Sequence, residues 1–489
     1  MITRSPFVLR ADPRRVIAKP YFPGEEIAGG HPTRASLLMA RILALSEEEV
    51  TRALDEVLVS FQARHRHFEE LLDRHWALVA PYAGDEPVSV ARRRLVGAYF
   101  THEYSVEGAA LFNPSVVPSP DQTGLAEGQC RFVMSLRAVG EGHISSIEFR
   151  SGTFDLQGTV LLEAASPFLV AGLRAPPSTY AKALFRAKLV ELGVGNEVAW
   201  QILERLPMAF SLAELDASLL ATEQETSSLA MTYETVKIVR VLAASSYVTT
   251  FPTDSTLSER VIFPAGPNET HGMEDARFVR FQEDDGAVRY YATYTAFDGY
   301  GIVPQLIETE DFRQFQISTL HGSAAQNKGM ALFPRRIGGK YVMISRRDRE
   351  NLHLAQSDRL DQWDTLTELH RPRHPWELVQ IGNCGSPIET DAGWLLLTHG
   401  VGPMRRYAIG ALLLDRDDPL KVIGELREPL LAPEGPEREG YVPNVVYSCG
   451  AMKHGDHLMM PYGLSDGAVG ISVVRLDALL ALLRPPAAA

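Results

Sequence analysis

The sequence predicts a mainly β chain, a five-bladed β-propeller carrying an α-helical N-terminal extension and a helical insertion. Three observations predict it. A short motif, a turn followed by a strand of alternating apolar and aromatic residues that ends in a polar group, occurs five times. Its last four copies are spaced by about 50 to 60 residues, the length of a four-stranded blade with long loops. Outside the copies, two segments carry helical rather than strand periodicity.

Residues 1–95 read as the helical extension. Ser46 with Glu49 three residues on is a capping box, and apolar residues then recur at helical spacing through Val57, Phe61, Phe68, Leu71 and Leu72. His65, His67 and His75 lie in this charged segment and read as solvated surface histidines without a role. Residues 96–489 read as one β domain. Its first copy of the motif is Cys130-Arg-Phe-Val-Met-Ser-Leu-Arg137, and the helical insertion follows at about 178–245, with Ser211 and Glu214 as a helix start. The remaining copies are Val288–Thr295, Gly339–Arg346, Gly393–His399 and Gly455–Tyr462. An immunoglobulin-like sandwich also has short alternating strands, but it does not repeat at blade length.

Composition sets bounds on function. Hydrophobic residues at 45% and charged residues at 22% are ordinary for a globular chain. A net charge of -13 offers no basic surface for nucleic acid, so any anion site has to be built locally. No apolar run resembles a signal peptide or is long enough to cross a bilayer, and a cytoplasmic protein without membrane partners is expected. Cys130, Cys384 and Cys449 are widely spaced and suggest neither disulfides nor a metal site.

In a propeller, equivalent strand ends converge on one central pocket. The residues at those ends are Arg137, Thr295, Arg346 with Arg347, His399 and Tyr462. So many inward cations in an acidic chain suggest a bound anion, and phosphate matches their charge and geometry. The competing reading pairs each cation with a carboxylate. Acid candidates are Glu274 and Asp275, just before the strand at Phe278, and Asp298. Glycoside cleavage needs a proton donor plus either a second carboxylate that activates water or an anionic nucleophile. Asp275 is equally readable as a turn residue paired with Arg277.

The pieces Phe112-Asn-Pro-Ser115, Gly272-Met-Glu-Asp-Ala-Arg277, Lys328-Gly-Met-Ala-Leu-Phe-Pro334, Gly382-Asn-Cys-Gly-Ser-Pro387, His399-Gly400, Glu437-Arg-Glu-Gly-Tyr-Val-Pro-Asn444 and Tyr462-Gly-Leu-Ser-Asp466 occur in order. With them the chain resembles glycoside hydrolase family 130, the β-mannoside phosphorylases and related β-mannosidases, over about residues 112–474. The resemblance implies a five-bladed propeller and an inverting reaction. It places Asp275 on the catalytic acid, which acts through a hydroxyl of the mannosyl unit. Asn113, Arg137 and Asp466 fall on sugar-holding positions, and Lys328, Arg346, His399 and Tyr407 on phosphate-binding ones. Three positions depart from the family pattern: Ala276 replaces a proline, Lys328 stands where many phosphorylases have arginine, and Gln380 replaces a phosphate-site lysine. The expected activity is phosphorolysis of a β-linked mannoside to α-mannose 1-phosphate. Oligosaccharide and inorganic phosphate are the expected partners, no cofactor is expected, and a homo-oligomer is compatible. The alternative enzyme is an inverting β-mannosidase with Glu389 or Glu439 as base, and the alternative class a non-catalytic sugar-binding propeller.

Overall fold

The computed structural model describes residues 2–24, 33–84, 87–225 and 229–486. The remaining positions of the expected extension, 1, 25–32 and 85–86, of the expected insertion, 226–228, and of the end of the expected β domain, 487–489, lie outside the described residues. The chain is mainly β with helices, as expected, and divides into two compact units.

The smaller unit comprises Asp12–Gly108 and Ser166–Ala171. Its helices are Arg34–Leu43, Glu47–Phe61, Phe68–Val79 and Val90–Tyr99, and a hairpin pairs Val16–Pro20 with Thr101–Ser105. The capping box of Ser46 and Glu49 forms as the sequence predicts. The last two helices cross so closely that a Cβ on Gly97 would lie 2.1 Å from the Leu72 carbonyl oxygen. Their apolar faces bury Met39, Val50, Leu72, Val79, Leu95 and Phe100. Two of the histidines expected at the surface are buried instead. His65 bonds Glu103 at 2.8 Å and His75 bonds Thr101 Oγ1 at 2.6 Å, so hydrogen bonds offset their burial.

The larger unit comprises Met1–Ala11, Ala109–Ala165 and Gly172–Ala489. Five successive antiparallel meanders make up most of its β part among the described residues, beside short flanking strands and a hairpin of Tyr180–Ala181 with Ala209–Phe210. The first runs Ala110–Pro118, Gln129–Val139, Ser145–Asp155, and the second Gly272–Gln282, Val288–Phe297, Ile302–Thr309, Gln314–Thr319, with Tyr247–Thr250 beyond it. A parallel bridge between Ser145 and Gly272 joins these two into one sheet. The third is Ala331–Leu332, Tyr341–Ser345, Leu352–Ser357, Thr365–His370. In the fourth, Gly393–Val401 pairs with Gln380–Asn383 and Ile388–Thr390, then with Tyr407–Leu414, which pairs with Val422–Glu425. In the fifth, His457–Leu464 pairs with Val446–Tyr447, Met452–His454 and Ala468–Arg475. Each repeated motif thus forms the second position of a meander.

One part of the helical-extension expectation is corrected. Ile2–Arg10 is a strand that pairs antiparallel with Ala468–Arg475 and forms the edge of the fifth meander. Its residues alternate too weakly between polar and apolar to announce a strand, and its pairing partner lies at the far end of the chain. Neighbouring meanders share apolar cores: Phe149, Phe278 and Phe312 between the first and second, Phe281, Tyr291 and Met343 between the second and third. Phe333, Ile344 and Trp394 join the third to the fourth, and Leu397, Ile409 and Met460 the fourth to the fifth. The insertion is helical over Lys182–Glu191, Glu197–Glu204, Leu212–Glu225 and Leu229–Ala244, close to the expected bounds, and Ser211 and Glu214 cap the third of these helices reciprocally.

Candidate active site

The site begins with two β-bulges. In Ala110–Pro118 the register slips between Phe112 and Ser115, and in Gly272–Gln282 it slips between Glu274 and Arg277. Each bulge puts one residue into left-handed backbone, Asn113 at φ 48° and Asp275 at φ 56°. Asn and Asp tolerate that region better than other side-chain-bearing residues, and a bulge re-aims the side chain out of the sheet's alternation. The two side chains meet: Asn113 Nδ2 donates to Asp275 Oδ1 at 2.6 Å. A third left-handed residue, Asp466 at φ 52°, stands in the turn after His457–Leu464 and brings a second carboxyl.

Charge is concentrated around Asp275. Arg137 donates through Nη1 to Asp275 Oδ1 at 3.4 Å and through Nη2 to Glu274 Oε1 at 2.7 Å, with its guanidinium 5.2 Å from the centre of the Phe112 ring. Glu274 also accepts from Lys328 Nζ, so one carboxylate bridges two cations. Arg277 donates to the backbone carbonyl of Asp275 at 3.0 Å and to the Tyr447 hydroxyl. The reading of Asp275 as a turn residue whose carboxylate pairs with Arg277 therefore fails, because Arg277 holds its backbone and leaves the carboxylate to Asn113 and Arg137. Burial pushes the Asp275 carboxyl up, but Arg137, Arg277, Lys328 and the Asn113 bond together outweigh it and hold it below the ordinary carboxylate range. Burial and repulsion from Asp275 push Asp466 the other way, up to about 6, against the pull of Arg137 and Arg405. Two carboxyls in one site thus have their protonation pushed apart.

A second group gathers on the third and fourth meanders. Arg346 Nη1 lies 3.2 Å from His399 Nε2. With its amide turned so that both ends are satisfied, Gln380 accepts from Arg346 Nη1 at 3.0 Å and donates to the Arg349 carbonyl at 3.3 Å. Among the described residues Arg346 has no carboxylate partner, and its buried Nε has no hydrogen bond. The His399 ring stacks on Tyr407, with centroids 6.0 Å apart, and meets Tyr447 edge-on at 4.8 Å. Its fit is close: a Cβ on Gly382 would lie 2.4 Å from His399 Cε1. Burial first, and then Arg346 and Arg277, hold the imidazole far below its ordinary pKa, so it is neutral. The expected cluster of three basic groups is corrected accordingly. His399 accepts from Arg346 and adds no charge.

Arg277 and Tyr447 link the two groups, the guanidinium reaching Asp275's backbone on one side and the Tyr447 ring reaching His399 on the other. Lys328 enters through Glu274, and the next residue, Gly329, approaches Arg346 Cβ at 4.0 Å from where its own Cβ would be. All eight expected site residues are thereby placed: Asn113, Arg137, Asp275 and Lys328 by hydrogen bonds, Arg346, His399 and Tyr407 by contact, and Asp466 by its electrostatic coupling to Asp275. Other strand-end residues lie outside this constellation. The Tyr462 hydroxyl donates to Glu437 at 2.9 Å, Arg347 is exposed, and Asp298 accepts from the backbone N–H groups of Tyr300 and Gly301 in its own turn. Arg277, Tyr447 and Asn383 are additions. Asn383 Oδ1 is buried without a partner, 3.6 Å from where a Cβ of Gly329 would be. Arg277 was legible inside the Glu-Asp-Ala-Arg motif, whereas Tyr447 ends a strand of two residues with no pattern to mark it.

A family profile described as beta-1,4-mannooligosaccharide phosphorylase matches residues 248–485. The 1,2-beta-oligomannan phosphorylase of Thermoanaerobacter sp. (strain X514) is 37% identical over 224 residues, 44% of this chain and 73% of that protein. The chain belongs to glycoside hydrolase family 130. Another family relative, the beta-1,4-mannooligosaccharide phosphorylase of Ruminococcus albus, is 29% identical over 45% of this chain and 69% of its own length. A solved beta-1,2-mannobiose phosphorylase from Listeria innocua, in complex with beta-1,2-mannobiose, is 23% identical with a TM-score of 0.46, over 78% of this chain and 93% of that one. The matched family segment contains Asp275, Lys328, Arg346, His399, Tyr407 and Asp466, while Asn113 and Arg137 precede it.

Proposed function

We propose that this chain is an inverting β-mannoside phosphorylase that uses inorganic phosphate as co-substrate, needs no cofactor and releases α-mannose 1-phosphate. The observation that carries the reading is Arg346. A guanidinium with no carboxylate partner among the described residues and a bare buried Nε, beside a neutral imidazole, is a site prepared for an anion. Asp275 lies across the Arg277–Tyr447 link from it. In the reaction a phosphate oxygen held by Arg346, Lys328, His399 and Tyr407 attacks the anomeric carbon, and the bond to the leaving oxygen breaks. Asp275 supplies the leaving group's proton through a mannosyl hydroxyl, as family membership suggests. Asn113, Arg137 and Asp466 hold the sugar. The free site keeps Asp275 ionised, and an arriving phosphate reverses that tendency, because a negative charge beside the cations that depress its pKa pushes it back up. A single displacement inverts the anomeric centre.

The same reading makes the β part a five-bladed propeller. It is supported by the meanders, by the cores that consecutive meanders share, and by the approach of Gly463 in the fifth to Asn113 in the first. The catalytic domain expected at 96–489 then begins at Ala109, carries the helical insertion and is completed by Ile2–Arg10, and the helices of the expected extension, 1–95, belong to the appendage formed by the smaller unit. A cytoplasmic location belongs to the proposal as well, supported by the free thiols of Cys130, Cys384 and Cys449.

A second reading, hydrolysis, is favoured by Gln380, which takes one N–H of Arg346 where a lysine would add charge. Of its two expected bases, Glu389 is bound by Arg335 at 2.7 Å and Arg416 at 3.1 Å, and Glu439 is exposed. Incubating β-1,2-, β-1,3- and β-1,4-linked mannosides with and without phosphate and identifying the products decides between them. α-Mannose 1-phosphate formed only with phosphate is expected, and free mannose in both arms would overturn the proposal.

A further inference from the structure

One sizeable cavity of the larger unit is not at Asp275. A cavity of about 470 Å³ opens between the helical insertion and the outer strands of the second and third meanders, and none of its lining residues belongs to the candidate active site. It is within the usual range for small-molecule sites. Its walls are fixed to each other. Lys188, on the helix Lys182–Glu191, donates to the Leu320 carbonyl at 3.2 Å, and Glu191 accepts from the Gly322 N–H at 2.8 Å, so the helix is tied to the chain segment that lines the opposite wall.

Two buried polar side chains in that wall have unspent hydrogen-bonding capacity. Thr319 is 3% exposed and its Oγ1 has no partner; His321 is 8% exposed and its Nδ1 has none. Arg336 adds a buried Nε that is likewise unused, although its terminal nitrogens bond Tyr341 at 2.6 Å and Asp284 at 3.1 Å. Leaving such groups unsatisfied costs stability unless something occupies the space. The occupant's charge is constrained by the lining, in which Glu308, Asp358 and Asp361 stand against Arg336 and Arg359, and Arg359 is already paired with Asp361 at 2.8 Å. An anion finds no free cation there. Burial, and next Lys188, hold His321 down at about 4, so it offers a neutral ring with one donor and one acceptor. Leu184, Leu242 and Ile317 supply an apolar wall. A ligand that presents hydroxyl edges, an apolar C–H face and no net charge fits this combination.

We propose that this cavity is a second saccharide-binding site, which takes a neutral sugar unit through Thr319, His321 and Arg336 and makes the helical insertion a carbohydrate-docking element. It stands apart from the reaction at Asp275 and does not depend on phosphorolysis being correct. The test is calorimetric titration of the full chain with β-1,2-mannobiose and β-1,4-mannobiose in phosphate-free buffer, compared with Thr319→Val, which keeps the side chain's shape, and Leu184→Trp, which fills the space. Two binding events are expected for the unaltered chain. Thr319→Val should weaken one of them roughly tenfold, the scale of one lost hydrogen bond, and Leu184→Trp should abolish it. Turnover of saturating mannoside should be unchanged in both variants. Binding that neither variant changes, whether in one event or two, overturns the proposal. Should Leu184→Trp fail to fold by thermal melting, Thr319→Val decides alone. Cleavage of mannosides without a cavity-sensitive event sinks this inference only. A cavity-sensitive event without cleavage sinks only the proposed activity.

Discussion

Asp275 shows how much a single position can carry and how little of it is written locally. Its place in a Glu-Asp-Ala-Arg motif before a strand marked it as an acid candidate, but the left-handed bulge that turns it toward Asn113 comes from strand pairing that no local pattern displays. Asn adopts the same backbone as readily, so Asp275→Asn should fold with an unchanged melting temperature and lose about a hundredfold or more in kcat, the scale of a lost general acid. Near-normal turnover would remove Asp275 from the mechanism. Asp466 makes a different prediction. Its folded pKa of about 6 lies above the ordinary 3.8, so the folded protein binds that proton more tightly than the unfolded chain does. The strain of ionising it is absent below about 4, grows through the interval up to about 6 and is full above it. Asp466→Asn should therefore stabilise the fold at pH 7.5, by up to about 3 kcal/mol, and leave it unchanged near pH 4. Thermal unfolding at the two pH values checks this, and an equal gain at both would contradict it. Gln380 could be read only as a missing charge. Its contact with Arg346 adds that Gln380→Lys replaces an acceptor on that guanidinium with a cation, and the KM for phosphate should fall, as measured by initial rates.

At the scale of elements, the sequence pattern was strongest where strands are long and buried on both faces. Gly393–Val401, all of it buried, reads as a strand from its apolar run alone, and the motif copies located the second strand of each meander. It was weakest at Ile2–Arg10, where exposed and half-exposed residues alternate irregularly and the partner strand lies near the other end of the sequence. Pairing at such separation leaves no trace in a local window. The strand gives the fifth meander its edge, so removing residues 2–10 should lower the melting temperature by several degrees and expose Ala468–Arg475 to aggregation. Excising 12–108 instead, and joining the strand to Ala109 through a flexible linker, should leave mannoside turnover intact. Equal damage from both deletions would show that the strand has no special part in the larger unit.

For the molecule as a whole, the cation-rich strand ends suggested an anion site from sequence alone, and the contacts of each cation sort them. Lys328 is tied to Glu274, His399 is neutral, and Arg346 alone among these three carries a charge without a carboxylate partner among the described residues. These distinctions depend on contacts between meanders, which the order of residues along one strand does not contain. They concentrate the proposal on one guanidinium, and the most direct test of it is the initial rate of mannoside cleavage as a function of phosphate concentration, in the unaltered chain and in Arg346→Ala. The account predicts a rate that is negligible without phosphate and saturates as it is added, with phosphate affinity weakened in Arg346→Ala by about 1.5–3 kcal/mol, the scale of a charge-assisted hydrogen bond. A rate indifferent to phosphate in both proteins, with free mannose as the product, would contradict it.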